Sequence, residues 1–220
     1  MSGLISDRVL FIDGEAIVID KPAGLPVDPP RDGGISLENH LSTLTFGFQR
    51  WPVAVHRLDR DTSGCLLLAR NPKAHKRFQQ AFEAGQVEKR YLAVLDGVPA
   101  GEEGMIDLPL AKVSSEAAGW RMVGSASGKP ARTAWRLIEA KGGRALVEFR
   151  PATGRTHQIR VRAAEGLGAA VQGDPVYGRA GPAMLLHAAQ LRVPRDGKPP
   201  IEAEAPVPAA FVAAGFGIGE

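Results

Sequence analysis

The sequence predicts a mixed α+β fold, with a largely antiparallel β-sheet core and flanking helices. Short strand-like runs follow one another along most of the chain, turn signals join neighbouring runs, and the few helical patterns come after long gaps. The length of 220 residues fits one large domain. We therefore expect a single domain over residues 1–220, ending in a proline-rich tail over residues 194–220.

The first half of the chain contains a clear hairpin and a clear helix. Residues 9–12 and 16–19 are apolar runs separated by an Asp-Gly turn, which predicts a β-hairpin. Asn71 is a good helix N-cap and Pro72 suits the first helical position. Gly85 supplies the left-handed residue that ends many helices, so we expect a helix from Pro72 to about residue 84.

The second half contains further strands and two shorter helices. Alternating apolar residues and turn signals predict strands at residues 90–95, 133–140, 145–150 and 185–191. Loops and short strands are expected in the Gly-, Ser- and acid-rich residues 99–129. Helices are expected at residues 156–165, closed by Gly166, and at residues 208–214.

The net charge of +3 is distributed unevenly along the chain. Residues 50–90 carry nine Lys or Arg against four Asp or Glu, and residues 129–162 carry nine against two. A basic centre with acidic flanks suits a polyanionic ligand bound at one surface. Scattered arginines on a solvated face explain the same charge, and charge alone does not separate these two interpretations.

Several protein classes are excluded or made improbable by what the sequence lacks. No window approaches the roughly 18 consecutive apolar residues of a membrane-spanning helix. The first residues do not combine a basic region with an apolar core, as a secretory signal does. Cys65 is the only cysteine, which rules out an intrachain disulfide and a Cys-based zinc site. We expect a cytoplasmic monomer without membrane contact.

The most informative stretch is residues 56–64, HRLDRDTSG, which lies between two apolar runs. Charged groups in such a position either pair or carry out chemistry at the rim of a core. In an extended chain Arg57 and Asp59 would share one face, because side chains alternate along a strand. A structural salt bridge of Asp59 with Arg57 or Arg60 remains the alternative.

Two later stretches also combine residue types that suit RNA chemistry. Residues 89–94, KRYLAV, place Tyr91 after two basic residues, and an aromatic ring beside cations can stack on a displaced base. Residues 153–161, TGRTHQIRV, place Arg160 in a predicted helix. The alternatives are a core tyrosine and an exposed amphipathic helix.

These three stretches, in this order, resemble the motifs of the RluA-type pseudouridine synthases, which isomerise uridine to pseudouridine in structured RNA. Weaker matches extend the resemblance over a core of about residues 8–193. The resemblance implies a bilobed catalytic domain with a central RNA-binding cleft. It begins almost at the start of the sequence, so the small N-terminal RNA-binding domain of many relatives is expected to be missing.

The resemblance also implies roles for individual residues. Asp59 matches the catalytic aspartate, Tyr91 the tyrosine that stacks on the target base, and Arg160 the basic residue that pairs with the aspartate. Further contacts to RNA are expected from His56, Thr62, Arg155 and His157. A separate hypothesis concerns Arg57, which would share a face with Asp59 and could fill the stack left by the flipped base. The expected substrate is a ribosomal or transfer RNA stem-loop, and neither a metal nor an organic cofactor is implied.

The sequence departs from the family pattern in two places, and two other functions remain open. Arg162 stands where the family often has His, and residues 166–171 differ from the usual pattern, which would alter RNA contacts. One alternative is an RNA-binding module that has lost catalysis. The other is a metal-dependent hydrolase with ligands from among His56, Asp59, Asp61, His157 and His187.

Overall fold

The computed structural model describes residues 4–31, 33–115 and 119–217. The chain divides into two compact units, a first unit of Met1–Lys89 with Ala188–Pro206 and a second unit of Arg90–His187 with Val207–Glu220. Two units agree with the predicted bilobed organisation, whereas the single domain and the central cleft stay predictions. Residues 116–118 of the predicted loop region and residues 218–220 of the predicted tail lie outside the described residues.

The elements confirm the predicted α+β class and its mainly antiparallel strands. The strands are β1 (Val9–Ile12), β2 (Ala16–Lys21), β3 (Val53–Ala54), β4 (Ser63–Ala69), β5 (Glu88–Leu95), β6 (Glu103–Asp107), β7 (Leu110–Ser115), β8 (Gly119–Gly124), β9 (Arg132–Lys141), β10 (Arg144–Pro151), β11 (Leu186–Val193) and β12 (Ile201–Glu204). The α-helices are α1 (Pro72–Glu83), α2 (Gln158–Val161) and α3 (Ala209–Ala213), with 3₁₀ helices at Ile5–Arg8 and Leu37–Leu44. Across the described ranges no helix is both long and apolar enough to cross a membrane.

The first unit is built around the predicted β1–β2 hairpin. Asp13 closes its turn, because its Oδ1 accepts hydrogen bonds from the backbone N–H groups of Glu15 (2.8 Å) and Ala16 (2.9 Å). Strand β2 pairs with β4, which also pairs with the short β3 and neighbours β11. Nearly every residue of β2 and β4 is buried, as their continuous apolar sequences require.

Helix α1 covers this sheet and agrees with the prediction at both ends. The Asn71 side chain caps it by accepting a hydrogen bond from the Ala74 N–H, and Gly85 follows it with a φ of 68°. The apolar face of the helix, which includes Ala74, Phe78 and Ala81, is buried in the same core as β2 and β4. The loop that carries Asp59 therefore enters β4 beside a well-packed layer.

The second unit contains an antiparallel sheet in the order β5–β10–β9–β6. Strands β9 and β10 confirm the strands predicted at residues 133–140 and 145–150, and a tight turn at residues 142–143 joins them. Alternate residues of these strands, among them Ala93, Val147 and Phe149, form one buried core on one face. Strands β7 and β8 pair only with each other as named strands, in a separate two-stranded ribbon that contacts α2.

The predicted helix over residues 156–165 differs from the observed structure. Residue His157 has a left-handed backbone (φ 52°), so the α-helix begins only at Gln158. After Val161 the chain continues as a π-helix over Arg162–Gly166. The Gln158 side chain explains the late start, because its Oε1 accepts from the Arg155 N–H (2.9 Å) and holds the preceding loop in a non-helical path.

Candidate active-site residues

Asp59 lies on a loop rather than on a strand. Strand β3 ends at Ala54, so the alternation of side chains considered for residues 55–59 does not apply. Leu58 is buried and anchors the loop, whereas Asp59 is half-buried. The chain then turns, with the Thr62 N–H donating to the Asp59 carbonyl oxygen at 3.1 Å, and enters β4. The Asp59 carboxylate is thus carried at the edge of the first unit's core.

Lys21, the buried last residue of β2, holds the Asp59 loop in place through hydrogen bonds to backbone carbonyl oxygens. Its buried ammonium donates to the carbonyl oxygens of Pro22 (2.8 Å), Leu25 (2.8 Å) and Arg60 (3.0 Å). Burial lowers the pKa of Lys21 to about 8, although the negative charges of Asp61, Asp59 and Asp20 act in the opposite direction. The lysine therefore remains largely charged at neutral pH, close to the Asp59 carboxylate.

Gly64 is required where the loop joins β4. It has a φ of 106°, which L side chains rarely adopt, and a Cβ at this position would overlap with the backbone of Ala188. The close approach of these two backbones leaves no room for any side chain. The loop can pass from Asp59 into the buried strand only because residue 64 is a glycine.

The arginines next to Asp59 have other carboxylate partners nearby. Arg57 forms an exposed salt bridge with Asp28, with an Nη1 to Oδ2 distance of 2.7 Å. Arg60 lies 3.7 Å from Asp61. Both arginines of the motif therefore lie within ion-pair distance of a carboxylate other than that of Asp59.

His56 has the contacts of a structural residue. Its Nε2 accepts a hydrogen bond from the Leu67 N–H at 3.1 Å, and its ring stacks on Phe82 with centroids 4.6 Å apart. Burial is the main cause that lowers the pKa of His56 to about 3, and the charge of Lys89 adds to it. The imidazole is therefore neutral and supports the strand that follows the Asp59 loop.

In the second unit, Tyr91 lies half-buried on β5, where it packs against the core formed with Phe149 and its neighbours. The adjacent Arg90 points to the opposite face of the strand, because side chains alternate. There Arg90 pairs with the buried Glu148, which also binds Arg150 at 2.8 Å. The sequence correctly places an aromatic residue next to cations, but Arg90 does not share its face.

Arg160 is held by the buried carboxylate of Asp174, a residue that the three sequence motifs do not include. Its Nε and Nη2 donate to the two oxygens of Asp174 at 2.7 and 2.8 Å. Burial raises the pKa of Asp174, but hydrogen bonds from Arg160 and from the N–H groups of Val176 and Tyr177 outweigh it and lower the pKa overall. This bidentate pair fixes the plane of the guanidinium.

The other predicted RNA contacts of the second unit lie around the start of α2. His157 Nδ1 is 3.0 Å from the Tyr177 hydroxyl, which accepts a hydrogen bond from the Met122 N–H at 2.9 Å. Arg155 is exposed and donates from Nε to the Pro130 carbonyl oxygen at 3.1 Å. These residues and Arg160 belong to one connected group within the second unit.

Each compact unit thus brings together part of the predicted site. The first contains Asp59, His56, Arg57 and Thr62, and the second contains Tyr91, Arg155, His157 and Arg160. The pairing of Asp59 with Arg160 joins residues of different units and stays a prediction. Sequence reasoning missed the anchoring roles of Lys21 and Asp174, although both lie within residues 8–193, over which the resemblance to the family extends.

The described ranges contain no group of three or more His, Cys, Asp or Glu side chains arranged to hold a metal ion. The metal-dependent hydrolase considered from the sequence requires such a group. That alternative gains no support from this part of the chain.

Comparison with known proteins decides the family. The family model for RNA pseudouridylate synthases matches residues 15–165, which include Asp59, Tyr91 and Arg160. The chain belongs to this family. An uncharacterized RNA pseudouridine synthase of Zymomonas mobilis is 58% identical to it over 217 residues, covering 97% of this chain and 99% of the relative.

Other members of the family support the RluA-type assignment and the fold. The dual-specificity RNA pseudouridine synthase RluA of Escherichia coli K12 is 35% identical over 199 residues, covering 84% of this chain and 85% of that enzyme. The structure of human RNA pseudouridylate synthase domain containing 4 covers 94% of this chain and 91% of its own, with 26% identity and a TM-score of 0.79. This protein is therefore an RluA-type pseudouridine synthase, and its reaction class is the isomerisation of uridine in RNA.

Proposed function

We propose that this pseudouridine synthase modifies uridine in folded ribosomal or transfer RNA, with Asp59 as the catalytic carboxylate. The contact of Lys21 with the Arg60 carbonyl oxygen carries this assignment, because it fixes the loop of Asp59 and brings a buried positive charge near the carboxylate. A catalytic carboxylate needs such a fixed position. Asp59 is half-buried and directly follows Leu58, whose buried side chain anchors the loop.

The reaction exchanges one bond for another within the same nucleoside. The bond from the ribose to N1 of uracil breaks, the base rotates, and a bond from the same ribose carbon to C5 forms. The proton leaves C5 and N1 gains one, so no oxidant, reductant or cofactor is consumed. Asp59 either adds covalently or removes a proton, and the contacts of its loop are compatible with both roles.

Arg160 is assigned as the partner that orients Asp59. The bidentate contact with Asp174 fixes the Arg160 guanidinium, and we assign this fixed group to the catalytic carboxylate. A guanidinium already held by one carboxylate loses little side-chain entropy when it binds a second. Tyr91 is assigned to stack on the flipped uracil, which fits its half-buried position on β5.

Extrusion of the uridine from a stacked RNA costs on the order of a few kcal/mol. We assign the Arg57 side chain to the space that the flipped uridine leaves in the base stack. Its salt bridge with Asp28 is exposed, and because such pairs contribute little to stability, Arg57 can leave Asp28 at little cost. Arg155 and His157 are assigned to the RNA strand near Arg160. His56 and the buried Thr62 support the Asp59 loop, so their effect on RNA is indirect.

The decisive experiment replaces Asp59 with Asn. Asp59→Asn should abolish pseudouridine formation while folding and RNA binding persist, because shape is kept and the carboxylate is lost. The measurement is mass spectrometry of nucleosides from RNA that lacks the modification. Asp61→Asn is the matched control, since Asp61 is a half-buried carboxylate of the same loop to which no catalytic role is assigned, and it should retain turnover. More than about a tenth of wild-type turnover in Asp59→Asn would reject the assignment.

A further inference from the structure

Trp120 is an exposed aromatic residue that has no role in the reaction proposed above. It lies on β8 of the β7–β8 ribbon, and 48% of it is exposed to solvent. By contrast, Trp135 in the core of the second unit is 8% exposed. An exposed indole offers a flat apolar face and a polar N–H, which is why Trp is enriched at binding interfaces.

The Trp120 ring is held in a fixed orientation from within the second unit. It stacks on His157, with centroids 5.0 Å apart and ring planes 24° from parallel. His157 in turn meets Tyr177 edge-on at 5.6 Å and lies 3.0 Å from its hydroxyl. The Tyr177 hydroxyl also accepts from the Met122 N–H, two residues along β8 from Trp120. Trp120 and His157 therefore contact each other directly, and the Tyr177 hydroxyl also links His157 to the backbone of β8.

The same contacts lead directly to the proposed catalytic group. The Arg160 guanidinium carbon lies 5.3 Å from the centroid of the Tyr177 ring. Trp120 is therefore separated from Arg160 by two rings, His157 and Tyr177, that touch in sequence. An RNA strand that presents a uridine near Arg160 would pass the exposed part of Trp120 a short way along its length.

The positively charged side chain of Lys112 lies beside the Trp120 ring. The Lys112 ammonium lies 5.0 Å from the centroid of Trp120, and both side chains belong to the same face of the ribbon because Ser114 pairs with Trp120 and Lys112 with Met122. Lys112 is exposed. Because lysine side chains are flexible, a base that stacks on the ring can displace the ammonium onto a phosphate. An aromatic platform beside a mobile cation is the arrangement that binds unpaired nucleotides.

We propose that Trp120 and Lys112 form a binding site for an unpaired nucleotide that flanks the modified uridine, with the base stacked on the indole and its phosphate near the ammonium. This inference rests on the proposed function, because it takes RNA as the substrate. It adds a contact on the β7–β8 ribbon that none of the sequence motifs contains. The site favours RNA with an open loop over a continuous duplex, in which no base is available to stack.

The test compares two RNA probes and three variants. The probes are a fluorescein-labelled RNA hairpin with uridines in its loop and a fully paired RNA duplex of equal length. Trp120→Leu keeps an apolar contact with His157 but removes aromatic stacking, and it should weaken hairpin binding about ten- to a hundredfold with little change for the duplex. Trp120→Phe should bind nearly as wild type. Trp51→Leu is the matched control, because Trp51 is also exposed (59%) but belongs to the first unit.

A second readout separates stacking from a general loss of structure. The fluorescent base 2-aminopurine is placed at each position of the hairpin loop in turn. Binding of the wild type should quench the 2-aminopurine fluorescence at one position. Trp120→Phe should retain this quenching, and Trp120→Leu should lose it. Unfolding temperatures of the variants show whether they fold. The proposed nucleotide site would be rejected if folded Trp120→Leu bound the hairpin with unchanged affinity. It would also be rejected if this variant lost equal affinity for the hairpin and the duplex.

The outcome for Trp120 is independent of the outcome for the reaction. If the wild type forms pseudouridine and Trp120→Leu binds the hairpin normally, only the nucleotide site is wrong. If the wild type forms no pseudouridine in any RNA tested, the proposed function fails whatever Trp120 does.

Discussion

The Lys21 ammonium is enclosed by three carbonyl oxygens at a position that has no contact with solvent. A charge in such a place persists because the carbonyl oxygens and nearby carboxylates replace its water. The arrangement makes the geometry of the Asp59 loop depend on the protonation of one amine. The free energy of folding should therefore carry a signature of Lys21 at alkaline pH.

The folded-state pKa of about 8 lies below the ordinary lysine value of 10.5, so the unfolded chain binds a proton between these values that the folded chain does not. Stability should therefore rise with pH across this window. Relative to Lys21→Met, the wild type should gain up to about 3 kcal/mol of unfolding free energy between pH 8 and 10.5. Denaturant titrations at fixed pH measure the difference. The exposed Lys73→Met serves as control, and equal pH profiles for wild type and Lys21→Met would contradict the expectation.

The resemblance to the family indicated Asp59, Tyr91 and Arg160, but not which residues hold them in place. Lys21 precedes Asp59 by 38 positions and Asp174 follows Arg160 by 14 positions, and nothing in local sequence pairs them. Such contacts depend on tertiary packing. Likewise, the role of His56 could not be read from its place in a charged motif, because its partner Phe82 comes from α1.

Strand β4 begins with a contact that sets how the Asp59 loop enters the sheet. Gly64 lies against the backbone of Ala188 in β11, and its positive φ is open only to glycine at low cost. Strand pairing and loop geometry are therefore coupled at one residue. A side chain here must either separate the two strands or change the path of the loop.

Gly64→Ala should destabilise the first unit strongly, because the added Cβ overlaps with the Ala188 backbone and the φ of 106° is strained for alanine. We expect a loss of about 2–4 kcal/mol in unfolding free energy, together with loss of pseudouridine formation. Thermal and denaturant unfolding measure the first effect. Gly14→Ala is the matched control, since a Cβ at Gly14 meets nothing within 4 Å. Similar stability of the two variants would show that β4 tolerates a displaced loop.

Elements with strong local signals were predictable, and those fixed by distant contacts were not. Asn71, Pro72 and Gly85 define α1 at both ends, so the sequence suffices there. The helix around Arg160 begins later than predicted because Gln158 binds the preceding loop. The π-helix after it accompanies Arg162, which is buried and donates to the Ala131 carbonyl oxygen at 2.8 Å. No local pattern encodes that contact.

The molecule as a whole carries a modest net charge of +3, but residues 129–162 alone carry nine basic residues against two acidic ones. RNA binding should therefore depend steeply on salt in spite of the small net charge, because phosphate contacts release counterions. The exposed Arg155 belongs to this basic segment. Replacing Arg155 therefore tests whether this single side chain contacts a phosphate, because each phosphate contact adds to the salt dependence of binding.

Between 50 and 200 mM salt, wild-type affinity for an RNA hairpin should fall on the order of a thousandfold, if about six phosphates are contacted. Arg155→Ala should reduce the slope of log affinity against log salt by about 0.7 to 0.9. Fluorescence anisotropy over a salt series gives both slopes. The exposed Arg31→Ala, outside the basic segments, should leave the slope unchanged. Equal slopes for wild type and Arg155→Ala would remove Arg155 from the phosphate contacts.

The β7–β8 ribbon, which carries Trp120, shares no strand ladder with the β5–β10–β9–β6 sheet. Insertions and deletions near its tip would therefore leave the register of that sheet unchanged. Natural variation can accumulate there without endangering the scaffold that positions Arg160. Among homologous enzymes, the ribbon is thus the place where a preference for one transcript over another can evolve while the chemistry is preserved.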